Sequence, residues 1–315
     1  MTAYLIRRFV TSLIVILGIA FVTFGMTHII APSPGRSILG DRASIAAVNA
    51  FNKAHGYDRP VWDQFASYIW QLLHGNLGQS YKLNQSVDSL IAENAPHSMW
   101  LSGSALVLSI LIAIPLGVFQ AVKRNSIGDQ AATAAAFTAY SMPQNFLGII
   151  LLGVFATTLH IFPAEASQSE GIVPYMLAFR ANFLPIATLT ITAVAGYSRY
   201  MRSSGLDALA QDYIRLAKAK GLSNGRVLRR HLLRNAILPM VTLIGLSIPV
   251  LLGGNLIVEY LFNSHGLGLL FINELGNEDF PTVIALTLLG GIATVVGNFI
   301  ADVALTVADP RIRIN

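Results

Sequence analysis

The chain has 315 residues, 54% hydrophobic and 12% charged, with a mean hydropathy of +0.59 and a formal net charge of +5. Those proportions exclude an ordinary soluble domain and define an integral membrane protein. It has no cysteine, which excludes disulfides and thiolate metal sites.

Arg7 and Arg8 precede an apolar run from Phe9 to Ile30, long enough for a hydrocarbon core that takes about 20 helical residues. The run exceeds a signal-peptide core and shows no small-residue cleavage site, so residues 1–30 are expected to be a retained first span. Residues 31–97 are polar and too long for a connector, which predicts an inserted external segment. Within it Ala43–His55 and Val61–His74 carry helical patterns. The second is introduced by Asp58-Arg59-Pro60 and places Trp62, Phe65, Ile69, Leu72 and Leu73 on one apolar stripe. Its polar face is not basic, which favours packing on the protein over lying on lipid. A turn-rich passage follows, His74-Gly75-Asn76-Leu77-Gly78 and then Gln79-Ser80-Tyr81.

Five more spans are expected. They are Met99–Val122 with Pro115 inside, Ala131–Leu159 with Pro143, Phe183–Arg202, Ile237–Phe262 with Pro249, and Thr282–Val307. His160–Asn182 and Asn263–Pro281 fall outside. The expected fold is therefore all-α with six transmembrane helices, and residues 98–315 form the core after the insertion.

Between the fourth and fifth spans lies a polar island, Ser203–Pro239, with the sequence SSGLDALAQDYIRLAKAKGLSNGRVLRRHLLRNAILP. Arg215, Lys218, Lys220, Arg226, Arg229, Arg230 and Arg234 stand against Asp207 and Asp212, so this loop alone matches the net charge of the whole chain. Its core, 203–236, reads as two short helices. Ser203 or Ser204 can cap the first, with Asp207 in its opening turn and Lys218 and Lys220 in its last. Gly221 then suits a left-handed C-cap. Ser223 or Asn224 can cap the second, whose Arg226, Arg230 and Arg234 recur every four residues on one face. Ala208, Ala210, Ala217, Ala219 and Gly221 give the first helix a slim profile suited to a groove.

Basic residues orient the chain. With the N-terminus inside, 15 lie on the inner side and six (Arg36, Arg42, Lys53, Arg59, Lys82, Arg180) on the outer side. Both termini and the basic loop are therefore expected in the cytoplasm. Four polar groups fall inside expected spans: Asn255 and Glu259 in the fifth, Asn298 and Asp302 in the sixth. Such groups normally face protein or water, which makes them candidates for a pathway or a subunit interface. For Glu259 an interfacial position near the outer end competes; for Asp302 an ion pair with Arg311 or Arg313 does. Gly253-Gly254 and Gly290-Gly291 suit close helix approach, or flexible points within a helix.

The seven histidines form no metal-spaced pair, and no GxxxxGK[ST] loop is present. No catalytic or metal site is expected.

QDYIRLAKAKGL followed by RVLRRHLLRNAILP resembles the coupling loop of permease subunits in the peptide and nickel branch of ATP-binding-cassette importers. Gly56–Tyr81 is similar to the external domain after the first span of those permeases, and Asp309-Pro310-Arg311 is similar to their closing motif. In the wider superfamily the loop begins Glu-Ala-Ala, with glycine in seventh place. Aligning Gly221 there puts Arg215, Leu216 and Ala217 at the triplet, without the acid.

The resemblance covers nearly the whole chain and implies a subunit forming half of a translocation pathway. It implies a second homologous permease, two ATPase domains in the cytoplasm that bind ATP and magnesium, and an extracytoplasmic substrate-binding protein. It implies no cofactor in this chain, a bacterial inner membrane and a di- or oligopeptide substrate, with nickel complexes or glutathione as alternatives. Within the loop, Ala217 and Gly221 are expected to dock closely, with Asp212, Arg215, Lys220, Arg226 and Arg230 around them. A membrane-embedded enzyme whose loop binds an anionic lipid or substrate is a rival that lacks a catalytic cluster. A scaffold anchoring a cytoplasmic partner is another, and it predicts no flux.

Overall fold

The computed structural model describes residues 2–30, 34–40, 42–80, 82–169 and 171–308. It is helical almost throughout. Helix α1 (Thr2–Ile30) is followed by α2 (Pro34–Leu39), α3 (Ile45–Ala54) and α4 (Val61–Leu73). Pro60 stands at the N-cap of α4, where its missing N–H costs no helical hydrogen bond. The turn-rich passage closes as a two-strand antiparallel ladder, β1 (Gln79–Ser80) on β2 (Gln85–Ser86), a small departure from an all-helical reading.

Helix α5 (Val87–Val122) starts well before the expected Met99, because Ser86 caps it through the Ser89 amide and Pro96 is tolerated inside it. Next come α6 (Ile127–Ser141), α7 (Gln144–Leu151, running on as a π turn to Thr158), α8 (Ile172–Leu177) and α9 (Phe179–Leu209). The basic loop holds α10 (Asp212–Ala219), α11 (Asn224–Val227), a π turn (Leu228–Leu232) and α12 (Leu233–Ala236). The remainder is α13 (Leu238–Gly245), α14 (Ile248–Gly253), α15 (Leu256–Leu261), α16 (Leu267–Gly276) and α17 (Phe280–Ala308).

Among the described residues, two helices are long and apolar enough to cross a membrane, Val87–Val122 and the Phe280–Ala301 part of α17; up to four cross if each bent pair is one span. The expected third span is such a pair: α6 and α7 meet at 106°, because Pro143 ends one helix and begins the next. The expected fifth span is also broken. Asn224–Ala236 and Leu238–Leu251 bend by 45°, and Gly254 (φ +77°) then separates α14 from α15.

Helices α5 and α9 pack along their lengths and form the centre of the bundle. They approach closely because Gly117 faces Met201 and Gly205 faces Ala121; a Cβ at 117 would sit 2.8 Å from the Ser198 carbonyl oxygen. Helices α1, α13 and α14 pack against α17. There Gly291 rather than Gly290 marks the close approach: a Cβ on Gly291 would lie 2.7 Å from Ile19 Cδ1, whereas one on Gly290 would meet nothing within 4 Å. Helix α4 touches α1 through Phe65, whereas Trp62 and Leu73 of its expected stripe are 70% and 76% exposed, so the stripe packs on the protein only in part. Phe65 lies between Phe21 and Phe24 at centroid distances of 5.6 and 5.4 Å.

Candidate functional site

The basic loop is built on a buried apolar seam. Ile214, Ala217, Val227 and Leu232 join Met201, Ala208, Ala236 and Met240 in one cluster beneath it. Helix α9 runs on to Leu209, so Ser203, Ser204 and Asp207 belong to α9 and the loop's first helix opens at Asp212. It is the Asp212 carboxylate, not Asp207, that sits in the first turn. At the other end Gly221 adopts φ +76°, and the Leu222 amide donates back to the Ala217 carbonyl at 3.3 Å, as a Schellman-type cap requires.

Asp212, Arg215, Lys220, Gly221, Arg226 and Arg230 are all exposed. Ala217 is not: at 5% exposure it faces the subunit's own core, which corrects its expected place on a docking face. Leu216 occupies the outward position instead, 57% exposed. The π turn winds more residues per turn, so the arginine stripe from Arg226 to Arg234 is not a straight row. A 3.4 Å contact between Asp212 and Arg215, both largely exposed, adds little stability.

The other end of α5 holds a different arrangement. Glu259 is 0% exposed, so it is no interfacial residue. Its Oε1 accepts from the Ser98 hydroxyl at 2.8 Å and the Asn255 amide at 2.9 Å, and its Oε2 accepts from the Gly268 and Leu269 amides at 2.8 and 3.3 Å. The Leu267 amide donates to Ser98 Oγ at 2.8 Å. The opening amides of α16 are thereby satisfied by one carboxylate and one hydroxyl, in the field where a helix N-terminus favours an anion. Asn255 caps α15 through the Val258 amide. Gly254 leaves no room for a side chain, since a Cβ would lie 2.9 Å from Glu259 Oε1.

Asn298 is half-buried on α17, apart from this network, and the side chain of Asp302 and residues 309–315 lie outside the described residues. A cavity of about 190 Å³ opens between α5, α7, α9 and α14, bordered by Ser102, Gln144, Thr192, Tyr197, Ser247 and Leu251. The Ser102 hydroxyl there is buried without a hydrogen-bond partner.

Two groups escaped the sequence reading. Asp129 is buried and accepts bidentately from Arg202 at 2.8 Å on each oxygen, tying α6 to α9. The signal available for it was local only, Ser126 three residues ahead as a cap. Glu274 is buried on α16 with Oε2 unpartnered. Burial and the neighbouring Asp279 carboxylate push its carboxyl above the ordinary range.

The described residues thus form a helical bundle with a basic hairpin at one end and a capped, broken helix at the other. Residues 113–314 match the family described as "Binding-protein-dependent transport system inner membrane component", and residues 1–102 match its N-terminal companion. The chain belongs to this family of membrane permeases. It is 34% identical over 316 residues to the oligopeptide transport system permease protein AppB of Bacillus subtilis, covering 99% of this chain and 100% of that one. It is also 34% identical to the dipeptide transport system permease protein DppB of Escherichia coli, covering 99% of each. Among solved structures, an inward-facing MetNI methionine ABC transporter chain shares the fold, with a TM-score of 0.56 and 18% identity over 70% of this chain and 96% of that one.

Proposed function

We propose that this chain is one of two permease subunits of an ATP-driven importer of di- or oligopeptides in a bacterial inner membrane. Identity of 34% over 99% of this chain with an oligopeptide and a dipeptide permease carries this reading. In this reading the chain crosses six times, through α1, α5, the α6–α7 pair, α9, the α13–α14 pair and α17, with both termini and loop 203–236 in the cytoplasm and residues 31–97 outside. The 190 Å³ cavity, apolar-walled with scattered hydroxyl and amide groups, suits a peptide backbone passing without tight hold. A homologous permease supplies the other half of the pathway, and an extracytoplasmic binding protein delivers the substrate.

Helix α10 docks on a cytoplasmic ATPase through Leu216 and the exposed cations Lys220, Arg226 and Arg230. Closure of the two ATPase domains on ATP moves the bundle as a rigid body between outward and inward access. ATP and magnesium belong to those partners. The test is ATP-dependent uptake of a labelled dipeptide into vesicles carrying the full assembly and its binding protein. Gly221→Asp is expected to abolish uptake and ATPase stimulation by the loaded binding protein. Normal values for that variant refute the docking role, and failure of the native assembly to take up any peptide refutes the substrate.

A further inference from the structure

A second cavity, about 520 Å³, lies between α1, the turn at 54–59, α4, the turn at 76–79 and the start of α17. Its depth relative to a bilayer can be read from its walls. Phe24 lies near the end of the apolar Val10–Met26 stretch of α1, and Ile284 lies in the apolar part of α17. Helix α4 stacks Trp62 on Phe21 at 6.1 Å and Tyr68 on Phe24 at 5.8 Å, so it runs at the height where α1 leaves the hydrocarbon. The same helix leaves Trp62 (70%), Trp70 (65%) and Leu73 (76%) largely exposed. Exposed tryptophans at that height are what a membrane–water interface selects.

The lining is mixed in character. Phe24, Leu77, Pro281 and Ile284 form its apolar part; Gln71, Asn76 and Gln79 supply amides, and among the described residues that line it Arg59 is the only Lys, Arg, Asp or Glu. The neighbouring acids Asp58 and Asp63 do not line it. Tyr68 lines it too, and its hydroxyl is buried without a hydrogen-bond partner, a costly state that a small turn of the ring toward an acceptor in the cavity would relieve. A guanidinium, amide donors and an unpartnered hydroxyl beside apolar walls match a phosphodiester on glycerol, and the volume suits a ligand of that size.

We propose that this cavity binds the phosphate–glycerol headgroup of one phospholipid from the outer leaflet, with its acyl chains entering the bilayer beside Phe24 and Ile284. Arg59 and Tyr68 contact the phosphate, and the bound lipid fastens the external segment to α1 and α17. The site depends on those two helices crossing the bilayer and on the orientation proposed above, not on what is transported.

The test is native mass spectrometry of the detergent-released full assembly with added dioleoylphosphatidylglycerol. The native protein should retain one lipid at this chain through activation that strips the rest. Tyr68→Phe combined with Arg59→Gln should lower that retention about tenfold, the equivalent of one charge-assisted hydrogen bond. Lys53→Gln, an exposed cation outside the lining, should leave it unchanged. Tyr68→Phe removes a hydroxyl that bonds nothing in the protein, so it tests the site without threatening the fold. Equal retention by native and doubly substituted protein overturns the proposal. Equal competition by water-soluble glycerophosphoglycerol also overturns it, by showing a soluble-phosphate site, and so does displacement of the lipid by peptide. A native assembly that retains lipid but imports no peptide would sink the substrate reading alone.

Discussion

The two ends of the bundle treat charge in opposite ways. At the end where α9 finishes, Lys220, Arg226 and Arg230 stand exposed, and the nearby Asp212–Arg215 pair is solvent-bathed. At the other end Glu259 is fully buried with four donors on its two oxygens. A carboxylate whose hydrogen-bonding capacity is filled by its own chain holds structure together. Cations left in water on a capped helix are available to a partner. The contrast separates polar groups that maintain this fold from those that use it.

The largest effect should come from emptying the buried end. Glu259→Ala leaves the Ser98 hydroxyl and three backbone amides without their acceptor, at a cost of at least about 3 kcal/mol. Thermal unfolding of the detergent-solubilised assembly and the amount of chain reaching the membrane both measure it. Glu259→Gln retains one acceptor oxygen and should lose less. An alanine variant as stable as the native protein would erase the distinction between the ends.

Asp129→Asn is next. It breaks a bidentate pair with Arg202, whose side chain keeps 27% of its exposure, so the penalty falls to about 2 kcal/mol, short of that for a deeply buried pair. Equal melting of variant and native protein would place this pair with the surface contacts.

Glu274 adds a pH dependence. Its folded carboxyl titrates above the ordinary value because of burial first and Asp279 second. The protonated form therefore favours folding; that stability is fully present below the unfolded carboxyl's pKa near 4.3 and is lost as pH rises through the folded value. Glu274→Gln fixes the uncharged form. It should melt higher than native protein at pH 7, and the gain should vanish below about pH 4. A gain that persists undiminished in acid would show packing, not charge, to be its cause.

What the sequence disclosed follows the range of the forces involved. The cap at Gly221 and the Pro60 start of α4 are set by neighbours a few residues away, and each lies where the local pattern places it; the start of the loop's first helix does not, because α9 runs on to Leu209. The sharp bend before Pro143 was signalled by its proline but not by its size, which depends on how α7 packs against α9 and α15. The state of Glu259 was hidden because Ser98 lies 161 residues earlier in the chain. The inward turn of Ala217 was hidden too, since alanine suits a docking face and a core seam equally well.

The smallest effect on folding, and the sharpest test of the exposed end, is Arg226→Gln with Arg230→Gln. Neither side chain has a hydrogen bond or ion pair in this chain among the described residues, and both are exposed, so unfolding should not move. If these cations face an ATPase, association of the permease with its ATPases should weaken and lose much of its dependence on salt, because the screened attraction has been removed. Sedimentation of the assembly at low and high ionic strength reads both. Unchanged association at each would leave the charge of the loop explained by its place in the cytoplasm alone, and the docking surface would then reduce to Leu216 and the backbone around Gly221.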